Sequence, residues 1–473
     1  MSSDHAVVVG GSFAGIAAAR VLSDHFERVT IIERDEIPTE PTVRKGVPQG
    51  AHVHGILKIG RDILDKLFPG FVAETQSEGA VLFDLVAESA GFGSHGWLAR
   101  GPSSVRGFGI RRPLLEDVAR RRVLALPNVE LVRGRVEDLV VSHQLVEGVV
   151  AHTDLGRTTY LGDLVVDAGG RGSGASRWLE RAGFEVPTET VVNGFGGYAS
   201  RWLRVPDDAW PAEGLRSIAN LPCPKNTKGA ILYPQDNGLH IISLFGQSRD
   251  YPPSDEVAFD AFLSQLETPL IHQVVSRSEE VSEIRTSRST SNYWRNFEEL
   301  QNPPAGFVVL GAAASHFNPM AGQGISATLL DAVILGETIA DHEGDRDALP
   351  GAFQSRQADQ MKFPWSVAVG FDLQFPETSG ERPEPSPQGA EDARYMDVLS
   401  QVATVDPRVV EALMLANQTF DRSGLRRPDV VSRVAAWSDE GSPLPNTDPT
   451  RIPELALESN ETARDFDPML TPQ

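Results

Sequence analysis

Gly10, Ser12, Gly15 and Glu33 have the residue types and spacing to seat a dinucleotide. They fall in VVVGGSFAGIAAARVLSDHFERVTIIER, an apolar run, a glycine-rich turn, a helical stretch and a second apolar run closing on an acid. Gly10 suits the tight turn that ends a first strand, and Gly15 lets the following helix approach the sheet with no Cβ in the way. The free N–H groups and dipole at that helix start then face a pyrophosphate. Glu33 ends the second strand, where its carboxylate can accept both hydroxyls of an unphosphorylated ribose, as in FAD or NAD. Ser12 occupies the middle glycine position of the motif, a departure that a small side chain still accommodates.

These residues require a βαβ unit in a parallel sheet, and the rest of the chain supplies more of the same pattern. Residues 36–57 form an irregular loop, ILDKLF at 63–68 is helical, and 113–126 places Leu114, Leu115, Val118 and Leu126 at helical spacing after Pro113, with Arg120–Arg122 as its solvated face. Strand signals follow at 129–134, 145–153 and 161–170. From about residue 190 the pattern alternates instead, at 217–222, 228–233 and 239–246, the last two joined by the turn Gln235-Asp236-Asn237-Gly238. A helix over 254–266 starts at Ser254, a buried strand returns at 306–310, and a glycine-rich turn leads into a long helix ending near 341. Residues 376–392 read as a linker and 393–437 as mainly helical, followed by an acidic, proline-rich extended tail.

The expected organisation is an α/β, Rossmann-like nucleotide domain in three parts (1–75, 106–190 and 296–345). A substrate domain is inserted as 76–105 and an antiparallel sheet at 191–295, followed by a helical region at 346–437 and a tail at 438–473. The motif-like GFGSHG at 91–96 has no strand and helix around it and reads as chance.

A net charge of −22 argues against nucleic acid or an anionic membrane surface as partner. The lone cysteine, Cys223, excludes an internal disulfide and any multi-cysteine metal site, and no apolar run is long enough to span a bilayer. With a strand signal starting close to Met1, the expectation is a cytoplasmic protein with no signal peptide. His52 and His54 lack an evident third metal ligand and read as polar loop residues.

Three separated segments together resemble the FAD-dependent aromatic hydroxylase superfamily typified by para-hydroxybenzoate hydroxylase: the βαβ unit, VDAGGRGSGASRWLE at 166–180, and GAAASHFNPMAGQGIS at 311–326. The resemblance implies that Phe13, Ala14 and Arg34 join Gly10, Ser12, Gly15 and Glu33 around the FAD adenylate and pyrophosphate. It also implies that Asp167 holds the pyrophosphate loop, and that Gly311, Pro319, Gly322, Gly324 and Ile325 lie against the flavin and its ribityl chain. RKGVPQGAHVHGIL at 44–57 resembles the branch containing polyether-forming epoxidases and natural-product tailoring enzymes, which implies flavin contacts for Arg44 and Gln49; Arg112 matches an arginine that begins a helix beside the FAD. Ala312 stands where the family has an aspartate on a ribityl hydroxyl, and Ser315 where it has a histidine. Loss of one such contact weakens binding by roughly 1.5–3 kcal/mol.

The activity implied is oxygenation. NADPH or NADH reduces the FAD transiently, dioxygen adds to the flavin C4a carbon, and one oxygen atom passes to an apolar, polyketide-like small molecule by hydroxylation or epoxidation. The cofactor carries that chemistry, so no catalytic acid or base is identifiable. Tyr198, Trp202, Tyr233, Phe245 and Trp294 are candidate walls of a substrate cavity. The alternative is a cyclase of the same fold, in which FAD is structural and a bound polyene undergoes 4+2 cycloaddition through conformational restraint.

Overall fold

The computed structural model describes residues 3–382, 384, 386–439 and 446–456. Ala6, Val7 and Val8 are wholly buried, which a strand reaches only when both faces of its sheet are covered. That strand, Ser3–Val9, is central in a seven-stranded sheet. Five strands run parallel in the spatial order Phe307–Val309, Leu164–Asp167, Ser3–Val9, Phe26–Glu33 and Val129–Ser142. Leu145–Thr153 and Gly156–Leu161 add an antiparallel edge. Register pairs Val9 with Asp167 and Ile32, and Asp167 with Val309, so the chain leaves four neighbouring strands along one edge. Crevices outside the carboxyl ends of parallel strands are where such sheets bind ligands.

The helices Phe13–Leu22, Arg112–Leu124 and Gly324–Asp341 share one apolar core with one face of this sheet. On the other face, Val7 and Val9 pack with Trp178 and Leu179 of the helix Ala175–Ala182.

A second sheet of eight strands is built around Gly197–Arg204, His240–Gly246, Lys228–Pro234 and Ser217–Asn220. The hairpin expected at 235–238 joins the antiparallel pair Lys228–Pro234 and His240–Gly246. Side chains alternate across these strands. Ala199, Leu203, Ile242 and Leu244 form a core with Phe259, Phe262 and Leu263 of the helix Glu256–Leu263, leaving Tyr198, Ser200, Ser243 and Phe245 on the opposite face. GFGSHG is a β-hairpin in this sheet, with Ser89–Gly93 running parallel to Ser217–Asn220 and turning back at Gly96–Trp97. The helices Pro387–Val402, Pro407–Thr419 and Pro428–Asp439 pack on Val86 and Ala99.

Three local expectations are corrected. Arg120 is buried rather than solvated, because it lies one turn after Glu116 and pairs with it at 2.7 Å. The helix expected to start at Ser254 is capped by Asp255, whose carboxylate accepts from the Ala258 N–H. In the expected tail, residues 446–456 are a docked strap: Trp97 donates its backbone N–H to Asn446 and its indole N–H to Asp448, and the Ala456 N–H reaches the Arg100 carbonyl. The remainder of that tail, 457–473, and residues 440–445 before the strap lie outside the described residues.

Candidate functional site

The strand ends, the 45–55 loop and the polar face of the second sheet enclose one cavity of about 1260 Å³. This exceeds the roughly 300–1,000 Å³ of an ordinary small-molecule site and leaves room for a dinucleotide together with a further small molecule. Gly10, Ser12, Phe13, Ala14, Glu33, Arg34, Gln49, Arg112, Gly311, Pro319, Gly322, Gly324 and Ile325 all line it. Of the aromatic candidates, Tyr198 and Phe245 line it as well. Tyr233 instead meets Phe83 edge to face, Trp294 meets Trp365 in the same way, and Trp202 lies under the Arg111 guanidinium.

Three predicted residues stand behind the wall. Gly15 packs so closely that a Cβ there would fall 1.7 Å from the Gly10 carbonyl oxygen. Asp167 is fully buried and accepts from the Gly169 N–H at 2.8 Å and from the Ser173 hydroxyl, so it shapes the 168–174 loop from beneath. Arg44, expected at the flavin, is turned into an ionic cluster instead: its guanidinium pairs with Glu116 and lies 3.5 Å from Glu33 and 3.4 Å from Asp35. Burial favours this outcome, since a guanidinium removed from water needs carboxylates around it.

Glu116 is the hub of that cluster and was not singled out in the sequence, although its place four residues after Arg112 and four before Arg120 was readable. Burial pushes its carboxyl up, but Arg112, Arg44 and Arg120 outweigh burial and hold it below the ordinary carboxylate range. Glu116 also accepts from the Ser12 hydroxyl at 2.9 Å, and Arg112 donates to the same hydroxyl at 3.2 Å. Ser12 is therefore occupied sideways, and no side chain caps the start of the helix Phe13–Leu22. The Arg112 Nε makes no hydrogen bond among the described residues and lies 3.7 Å from Glu116. An uncapped helix start beside a buried guanidinium offers donors of the kind a diphosphate takes.

Glu33 accepts from the Gly11 N–H at 2.7 Å and the Asp35 N–H at 2.8 Å. These bonds aim its carboxylate along the strand edge, where it lines the cavity.

At the far end, Ala312 and Ser315 line the cavity and supply no carboxylate. Asp331, on the helix Gly324–Asp341, is the acid nearest this turn in the hydrogen-bond pattern: it accepts from the Gly311 N–H at 2.8 Å and from Gln357 at 2.9 Å. Its other oxygen has no partner among the described residues, and burial raises the carboxyl to about 7. An acid whose pKa is higher folded than unfolded binds more protons when folded, so stability falls as pH rises from about 4 to about 7. Asp331→Asn is expected to flatten that segment of a urea-midpoint profile measured from pH 5 to pH 8. An unchanged slope would assign it to another group.

A second acid, Asp372, works from the long helix Ala348–Asp372, accepting from Asn318 at 2.6 Å and Asn292 at 2.7 Å. Asn318 caps the turn Pro319–Ala321 through the Met320 N–H, so the C-terminal region fixes the shape of the glycine-rich segment.

No protein-family model matches the chain. It is 30% identical over 391 residues to Protein Rv3254 of Mycobacterium tuberculosis, covering 80% of this chain and 82% of the relative. Among solved structures it is similar to p-nitrophenol 4-monooxygenase PnpA from Pseudomonas putida (TM-score 0.63, 16% identity, 88% of this chain and 98% of the other). It is also similar to the flavin-dependent brominase Bmp2 (TM-score 0.62, 16% identity, 92% and 99%). Among the described residues no helix is long and apolar enough to cross a membrane. The chain thus has the fold shared by these two enzymes, a Rossmann-like domain with an inserted antiparallel sheet and C-terminal helices, and it belongs to the family of Protein Rv3254.

Proposed function

We propose that this protein binds FAD along the strand edge and is a flavin-dependent monooxygenase that hydroxylates or epoxidises an apolar, polyketide-like small molecule, with NADPH or NADH as transient reductant, in the cytoplasm. The observation that carries the reading is the convergence of Gly10–Gly15, Glu33, the 168–174 loop and Gly311–Gly324 on one cavity whose opposite wall is the substrate sheet. Of the two proteins that share the fold, PnpA is named a monooxygenase of p-nitrophenol and Bmp2 a flavin-dependent brominase. Bound FAD would supply electron transfer from the nicotinamide and activation of dioxygen.

The protein's own contribution is positioning. The uncapped helix start and Arg112 would hold the diphosphate, and Glu33 would take the ribose hydroxyls. The turn around Pro319, braced by Asn318 and Asp372, presents backbone to the flavin. Tyr198, Phe245 and Met361 exclude water from the chamber beyond.

The test is to load the purified protein with FAD and follow NADPH and NADH oxidation with candidate substrates under isotopically labelled dioxygen. A yellow protein, substrate-stimulated oxidation and labelled product are expected. A colourless protein after incubation with excess FAD would end the reading. Product formed without reductant or oxygen would transfer it to the cyclase.

A further inference from the structure

Three polar side chains are buried together where the 45–55 loop meets the second sheet. Ser200 and Ser243 face each other directly across the antiparallel pair Gly197–Arg204 and His240–Gly246, both with no exposed surface. Their hydroxyl oxygens are 2.6 Å apart, and Ser200 is 2.9 Å from Nδ1 of His52. The His52 ring stands edge-on to Tyr198, with centroids 4.3 Å apart and planes at 88°, and lines the cavity with it. Burying hydroxyls on a sheet face is unfavourable unless each proton is used.

Proton counting gives the chain a direction. If Ser243 donates to Ser200 and Ser200 donates to Nδ1, both hydroxyl protons are used and the histidine proton sits on Nε2. The reverse order leaves the Ser243 proton without an acceptor among the described residues. Nε2 itself has no partner among the described residues, and His52 borders the cavity. His54, two residues on, is different: its Nδ1 donates to the His52 carbonyl and its Nε2 accepts from Arg112, so it has nothing left to offer a ligand. Burial keeps His52 neutral, with its pKa near 4.

We propose that His52 is a substrate-positioning donor: its Nε2–H, fixed by the Ser243–Ser200 hydroxyl chain, binds an oxygen acceptor such as a ketone carbonyl on an otherwise apolar molecule in the chamber. This rests on the reading that the chamber takes such a molecule, and it adds the polar feature by which one apolar ligand is told from another. A donor held in one direction orients the ligand, because a pose that leaves it unpaired on burial is disfavoured.

Two measurements test it. In protein labelled with ¹⁵N-histidine, with His52 assigned by comparison with His52→Gln, nitrogen shifts should show Nε2 protonated and Nδ1 bare; Ser200→Ala should abolish that preference. In calorimetric titrations, 1-tetralone should bind roughly tenfold tighter than tetralin, which differs by the carbonyl alone, and His52→Phe should bind the two equally. A protonated Nδ1, a wild type that binds neither probe or does not distinguish them, or a preference that survives in His52→Phe overturns the proposal. Visible flavin absorbance of the same samples reports separately on FAD binding, so loss of that reading is not mistaken for loss of this one.

Discussion

Gly15→Val is expected to yield a chain that neither holds FAD nor reaches wild-type stability. A Cβ at this position would lie 1.7 Å from the Gly10 carbonyl oxygen and 2.9 Å from its carbon, both backbone atoms of the turn that ends the central strand. No rotamer relieves such an overlap, so the helix Phe13–Leu22 must move off the sheet, which loosens Ile16 and Ala17 in the core they share with Val8. A cost of about 4 kcal/mol or more follows from strain of this kind. Gly324→Ala is the matched control: a Cβ there meets nothing within 4 Å, so its thermal midpoint should stay at the wild-type value. Midpoints from scanning calorimetry separate the two variants, and FAD titration by flavin fluorescence compares Gly15→Val with wild type. A Gly15→Val protein that melts with the wild type would refute the packing argument.

Glu116→Gln should be nearly as damaging, although it changes no shape. Glu116 is 3% exposed and is the shared counter-charge of Arg44, Arg112 and Arg120, and its removal leaves buried guanidiniums facing one another. Breaking a buried ionic cluster in this way costs about 3–5 kcal/mol, which lowers an apparent midpoint by roughly 3–5 °C. Because the folded carboxyl sits below its unfolded range, the stability it contributes is complete above the unfolded pKa and is lost as pH falls through the folded one. Wild type and variant should therefore differ most at neutral pH and converge in acid, as urea titrations at pH 7 and below pH 4 would show. A constant gap across that range would mean that Glu116 acts by shape alone.

Much of this arrangement was readable because its determinants are local. The turn at Gly10, the helix after it and the acid at Glu33 lie within one βαβ unit, and hydrophobic periodicity with turn residues specifies such a unit. The hairpin at 235–238 was legible for the same reason. Arg120 was misjudged because a run of three arginines looks solvated until the carboxylate one turn earlier is seen to be buried. The docking of 446–456 is not legible in an extended tail of that composition, because its partners, Trp97 and Arg100, lie some 350 positions away in the chain.

Sequence by itself determined the opening βαβ unit, the alternation of α/β and antiparallel regions, and the departure at Ala312, since each depends on residue type and short spacing. Tertiary structure alone decided that Arg44 turns away from the cavity into a cluster around Glu116, that Asp331 and Asp372 brace the glycine-rich segment, and that His52 rests on Ser200 and Ser243. These are pairings between buried polar groups far apart in the chain, and their partners are fixed by strand register and helix packing, which bring each group within hydrogen-bond distance of the one neighbour that satisfies it.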